Sequence, residues 1–179
     1  PEFIRKTTVV CPSHWTKEHV VKNSLVKPYA TVMIENAVGV QEIRSKGNVI
    51  TNHMKNIKLV IIAGNLNDKR KGVRNALKFF DELCKVMFCK VEITLVGQCQ
   101  STLISGLENI SISCLGVLNR DDVKKTIQDS DFLICPSTED NSPNVVTESL
   151  ALSTPVIIQS NTGASTYVED EVTGLSVDF

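Results

Sequence analysis

The stretch Pro136-Ser-Thr-Glu-Asp140-Asn-Ser-Pro-Asn144-Val-Val-Thr-Glu148-Ser-Leu-Ala-Leu-Ser-Thr-Pro-Val156 decides the fold. It leaves an apolar strand, Asp131-Phe-Leu-Ile-Cys135, and crosses a polar turn with no regular period. The spacing then predicts a helix from Pro143 to about Leu152, with Ser142 as N-cap and Pro143 at the first helical position, where no N–H is needed. Another apolar strand, Pro155 to Gln159, follows at once. A strand, a polar turn and a helix N-terminus together make an anion site, because free N–H groups and the helix dipole both favour negative charge there. Asn144 and Glu148 are spaced i, i+4 and share a face, while Val146 and Leu150 turn toward the sheet. The Glu148 carboxylate therefore faces the same crevice as the anion site. Phosphate at the tip with a carboxylate one turn inward suits a nucleotide, whose ribose hydroxyls can donate to that carboxylate.

Working outward, the chain alternates strand and helix from Lys58 onward. Lys58–Ala63, Lys90–Val96, Ile110–Leu115 and Gly174–Val177 read as further strands. Helices are expected over Gly72–Val86, Ser101–Leu107, Asn119 or Arg120 to Gln128, and Thr166–Val168. The pattern predicts an α/β fold: a Rossmann-like parallel sheet with helices on both faces and right-handed crossovers. The turns after strands, at Gly64, Gly97, Gly116 and Pro136, are expected along one edge, where such folds bind ligands. Before Lys58, Thr7–Cys11 and Ala30–Ile34 read as strands around a helix from Trp15 to Leu25, capped by Ser13, with Val20, Val21 and Leu25 on its apolar side. Gly39–Asn56 reads as loop with a short helical turn.

The totals exclude several function classes. A net charge of −1 gives no global field for nucleic acid, and Lys69-Arg70-Lys71 is a short local cluster. No apolar run reaches the roughly 18 residues of a membrane span, and no signal peptide is visible. The six cysteines form no CxxC pair and no Cys/His cluster of zinc spacing; their even count allows a disulfide set, but for a chain of this size and composition a reduced, cytoplasmic protein is the expectation. Pro1-Glu-Phe3 matches no element and is set aside as a cloning remnant, leaving 4–179 as one domain.

Glu139–Ile157 resembles the signature of retaining glycosyltransferases of family 4, in the C-terminal half of the two-Rossmann-domain GT-B fold. Asp140 and Glu148 have the spacing of that family's two acids, and Ser153-Thr-Pro-Val156 resembles its Gly-Thr-Pro-Val turn. Glu139–Asn144 is close to the branch with Glu-Asp-Asn-x-Pro-Asn. Cys11-Pro-Ser-His-Trp15, Ile34-Glu-Asn36, Lys71-Gly72, Thr162-Gly163 and Val168–Gly174 resemble further family elements, so nearly the whole chain is covered.

The resemblance implies a nucleoside-diphosphate sugar as donor and a glycan or lipid-linked acceptor bound by an N-terminal domain that this stretch does not contain. Glu148 would bind ribose hydroxyls. The backbone around Ser142, Asn144 and Val145 would hold the diphosphate. Lys71 would neutralise the leaving diphosphate, Asp140 would sit near the transferred sugar, and Gly116 and Val117 would lie beside the base. No metal is expected, since Lys71 and the helix dipole take its place, and the full-length protein is expected in the cytoplasm or at the inner face of a membrane. Three departures stand out: Asp140 replaces the usual Glu, Asn65 stands where many members place a phosphate-contacting Arg, and Glu35 and Ala37 replace Pro and Gly. Glu139 and Arg70 are the neighbours that can compensate for the first two. Taken alone, Glu148 reads as a solvated helix residue and Lys71 as a surface lysine. A sugar-nucleotide epimerase of the same fold, or a non-catalytic binding module, is the alternative.

Overall fold

The computed structural model describes residues 7–22, 28–38, 56–87 and 90–179. The readings of Pro1–Phe3 and of the Gly39–Asn56 loop before its last residue lie outside these residues, as do Leu25, His53 and Cys89. The chain opens with β1 (Thr8–Cys11), α1 (His14–Lys22) and β2 (Ala30–Met33), and the two strands pair in parallel. Next come β3 (Asn56–Asn65), a 3₁₀ turn (Lys69–Lys71), α2 (Val73–Met87), β4 (Lys90–Gln98), α3 (Ser101–Ile104), β5 (Ser111–Gly116), α4 (Arg120–Gln128) and β6 (Phe132–Cys135). The last elements are α5 (Asn144–Ala151), β7 (Val156–Gln159), a 3₁₀ turn (Gly163–Thr166) and β8 (Gly174–Val177).

β3 to β8 form a six-stranded parallel sheet in the order β5-β4-β3-β6-β7-β8. The Rossmann-like α/β architecture read from the sequence is the one observed. Alternate side chains of β3 feed two cores, as a sheet buried on both faces requires. Leu59 and Ile61 pack with Val73, Ala76, Leu77, Phe80 and Cys84 of α2. Val60 faces the other way, onto Ile127 of α4 and Val146 of α5.

The topology fixes where a ligand can sit. The connections through α2 and α3 carry the chain from β3 outward to β5, and α4 returns it to β6, on the other side of β3. The order therefore reverses between β3 and β6, the place where folds of this kind form a ligand crevice beyond the carboxyl ends of the strands. Those loops are 66–72 and 136–143. Among the described residues, no helix is long and apolar enough to cross a membrane. The described cysteines are all thiols.

Two local expectations fail. The apolar side assigned to α1 is not buried: Val21 is 64% exposed and no residue of α1 is fully enclosed. It packs mainly against β1, β2 and the Gly163–Thr166 turn. That turn also begins three residues earlier than the sequence pattern places it.

Candidate active site

Lys71 and Asp140 meet at the switch point. Lys71 ends the 3₁₀ turn after β3 and Asp140 lies in the turn after β6, and Lys71 Nζ donates to Asp140 Oδ2 at 2.8 Å. Both side chains are half-buried rather than fully solvated. Backbone contacts hold the two loops in place. Thr138 N–H donates to Arg70 O at 2.8 Å, and Gly163 N–H donates to Asp140 O at 2.9 Å. Glycine is needed at both approaches. Gly72 has φ +63°, and a Cβ there would collide with the Pro136 carbonyl. At Gly163 a Cβ would collide with the Asn141 carbonyl.

The pair lines a cleft of about 650 Å³. Arg70 and Lys71 form one wall, Glu139 to Ser142 the floor, and Pro12, Trp15, His19 and Asn36 the wall supplied by the β1–α1–β2 unit. The Trp15 and His19 rings stack with centroids 3.9 Å apart, and Trp15 Nε1–H donates to Asn161 O at 3.0 Å. Arg70 forks onto Asp68, with Nη2 2.7 Å from Oδ2; that hydrogen bond holds the guanidinium above and the Asp68 carboxyl below their usual ranges. Behind the floor, Cys135 is enclosed, and burial, followed by the Asp140 carboxylate, pushes its thiol up to about 11.

The start of α5 corrects the sequence reading. The helix runs Asn144–Ala151, its N-cap is Pro143 with ψ 109°, and no side chain caps it. Ser142 is not the N-cap. Its hydroxyl is held instead by Tyr167 Oη at 2.6 Å and by Asn36 Nδ2 at 3.1 Å. Asn36 Nδ2 also donates to Asn144 Oδ1 at 2.9 Å. Tertiary partners therefore outcompete the local cap. Val146 N–H donates to Pro143 O at 3.0 Å, and no side chain takes the N–H groups of Asn144 and Val145 at the tip, directly after the Glu139–Ser142 floor.

The remaining expected positions spread along the same sheet edge. Glu148 is half-buried on α5, about 6 Å along the axis from Asn144 at 1.5 Å per residue. It lies outside the lining of the cleft, as do Asn144 and Val145. Asn65 closes β3, and its Oδ1 accepts from Asn67 N–H at 3.0 Å, so it shapes its own loop. Gly116, with φ +70°, ends β5, and Val117 beside it is 74% exposed. β5 is two strands from β3, roughly 10 Å at ordinary strand spacing. Sequence reading did not single out Tyr167. Trp15 and Asn36 entered only as parts of motifs.

The family model described as glycosyl transferases group 1 matches residues 57–179. Among solved structures, a sucrose-phosphate synthase (tll1590) from Thermosynechococcus elongatus superposes with TM-score 0.75 at 18% identity, over 99% of this chain and 47% of that one. Anabaena Alr3699/HepE, solved in complex with UDP and glucose, gives TM-score 0.74 at 19% identity, over 96% of this chain and 49% of that one. WaaG, a glycosyltransferase involved in lipopolysaccharide biosynthesis, gives TM-score 0.64 at 18% identity, over 94% of this chain and 48% of that one. The chain thus spans about half the length of these structures, whose fold it shares. A search of curated proteins returned no match. With the family model covering all six strands of the sheet but for the first residue of β3, the chain belongs to the group 1 glycosyl transferases.

Proposed function

We propose that this domain is the donor-binding half of a retaining glycosyltransferase of family 4, in the branch with Glu-Asp-Asn-x-Pro-Asn. It moves a sugar from a nucleoside diphosphate to a glycan or lipid-linked acceptor. The observation that carries the reading is the meeting of Lys71 and Asp140 at the switch point, beside a helix tip that no side chain caps. A diphosphate at the tip accepts from the first N–H groups of α5, around Ser142–Val145, and gains from the helix dipole. As the sugar leaves, negative charge builds on the diphosphate, and the Lys71 ammonium stabilises it without need of a metal ion. Asp140, already ion-paired to Lys71, holds that ammonium and faces the transferred sugar. Glu148, one turn along α5, accepts from the ribose hydroxyls. Gly116 and Val117 put open backbone and an exposed apolar side chain near the base. The acceptor and its binding groups belong to the other half of the enzyme, and the protein works in the cytoplasm or at the inner membrane face.

The test uses the full-length protein with UDP, GDP and ADP in thermal-shift assays. At least one of them should raise the melting temperature at millimolar concentration, and Glu148→Ala should weaken that nucleotide about 10- to 100-fold, the size of a lost charged hydrogen bond. Stabilisation by none of the three would sink the donor-site reading. Anomeric analysis of the product by NMR checks retention.

A further inference from the structure

Donor counting around Ser142 defines a role for a residue outside the cleft. Tyr167 Oη lies 3.0 Å from Pro12 O, a carbonyl that can only accept, so the single phenolic proton goes there. Tyr167 Oη must then accept at its other contact, 2.6 Å away, which makes Ser142 the donor. Asn36 Nδ2–H donates to Ser142 Oγ at 3.1 Å. The bonds therefore run one way: Asn36 amide to Ser142 hydroxyl, Ser142 hydroxyl to Tyr167 hydroxyl, Tyr167 hydroxyl to Pro12 carbonyl. The Ser142 proton is committed away from α5, and its oxygen is turned toward Asn36 rather than the helix N–H groups. A serine directly before Pro143 would otherwise be drawn to those N–H groups, as the cap preference of serine dictates.

We infer that Tyr167 is a positioning residue that keeps the Ser142 hydroxyl off the α5 tip, so that the tip stays open for the donor diphosphate. Tyr167 is half-buried and does not itself line the cleft, so it reaches the α5 tip through Ser142, its other partner being Pro12 O on the far wall. The arrangement also binds the site to the β1–α1–β2 unit, because Pro12 and Asn36 stand at the two ends of the relay. The inference rests on the donor-site reading and adds to it the rule that the diphosphate is held by backbone N–H groups, with no proton from Ser142.

The experiment compares Tyr167→Phe, Ser142→Ala and the double variant in the full-length enzyme. It reads donor KM and kcat by steady-state kinetics, together with the affinity for UDP, GDP and ADP. Tyr167→Phe frees the Ser142 hydroxyl to compete for the tip, so donor KM should rise roughly three- to tenfold, the scale of one hydrogen bond, while kcat moves less than twofold. In the Ser142→Ala background the same change should move donor KM less than twofold, because no hydroxyl remains to compete. A purely structural Tyr167 would instead lower the melting temperature equally in both backgrounds and leave the KM difference between them at zero. That outcome, or an unmoved KM in Tyr167→Phe, overturns the inference while leaving the donor site standing. Should Tyr167→Phe fail to fold, Asn36→Ala loosens the same hydroxyl from its other side; because Asn36 also holds Asn144 Oδ1, its rise in donor KM should be smaller over Ser142→Ala than in wild type, and an equal rise in both backgrounds overturns the inference. If wild type binds none of the three nucleotides, the donor-site reading falls, and the inference falls with it.

Discussion

At the scale of single residues, the proposed function makes its heaviest demand on Lys71, the cleft lysine paired with Asp140. Arg70, its neighbour, is forked onto Asp68 and more exposed, so its charge is already committed at the rim. The 2.8 Å pair with Asp140 is worth on the order of 1 kcal/mol to folding, as half-exposed pairs are. In the proposed function its larger value lies in aiming the ammonium. Lys71→Ala should therefore lower kcat by about 10²- to 10³-fold with little change in melting temperature, as loss of one preorganised charge-stabilising group does. Steady-state kinetics of the full-length enzyme with urea unfolding alongside checks both halves. A fall in stability that accounts for the lost activity would refute the role. That Lys71 and Asp140 stand in the turns after β3 and β6, and Glu148 on α5, was legible because each sits in a short motif beside a turn or helix tip. Tyr167 was not, since its partners Ser142 and Pro12 are 25 and 155 residues away and nothing local to it marks a site.

At the scale of elements, the beginning and end of α5 show where local rules hold and where they fail. The helix itself was legible from the apolar positions Val146 and Leu150 and from Pro155 beyond it. Its cap was misread because Ser142 is a good cap locally, yet Tyr167 and Asn36 offer it better partners. At the other end, Ser149 Oγ–H donates to Thr154 O at 2.8 Å and Thr154 N–H donates to Ser149 O at 3.0 Å, which closes the helix tightly onto β7. The tight exit forces Ser153 to φ +59°, a conformation that costs a non-glycine residue about 1–2 kcal/mol. Ser153 occupies the place where the resembled turn has Gly. Ser153→Gly should consequently stabilise the protein by about 1 kcal/mol after the greater freedom of glycine in the unfolded chain is deducted. Urea unfolding measures it, and a destabilised variant would show that the Ser153 side chain makes a contact worth more than its strain.

At the scale of the whole molecule, parallel pairing with helices on both faces followed from the alternation of apolar runs and helices. The strand order did not follow, because it depends on α4 carrying the chain back across β4 and β3, which no local pattern encodes. Nor did the anchoring of the connection between α3 and β5, which depends on a buried acid in α2. Asp81 is 5% exposed. Its Oδ1 accepts from Glu108 N–H at 2.9 Å and Asn109 N–H at 2.7 Å, and Oδ2 accepts from Asn109 Nδ2 at 3.1 Å. Burial alone would raise its pKa, but the Asn109 and Glu108 hydrogen bonds together outweigh that and hold the carboxyl below its usual range. A carboxylate depressed in the folded state stabilises fully above its unfolded pKa, near about 3.9, and the contribution is lost as pH falls through the folded value. Asp81→Asn keeps one acceptor but turns an amide toward N–H donors, so it should destabilise the protein by roughly 1–3 kcal/mol at neutral pH. The gap between the two proteins should stay constant from pH 7 to about 5, then close as the solution is acidified below about pH 4. Urea unfolding of both proteins across that range decides it. A gap that persists undiminished into acid would mean that Asp81 acts by shape alone, and that its charge contributes nothing to holding the far end of the sheet.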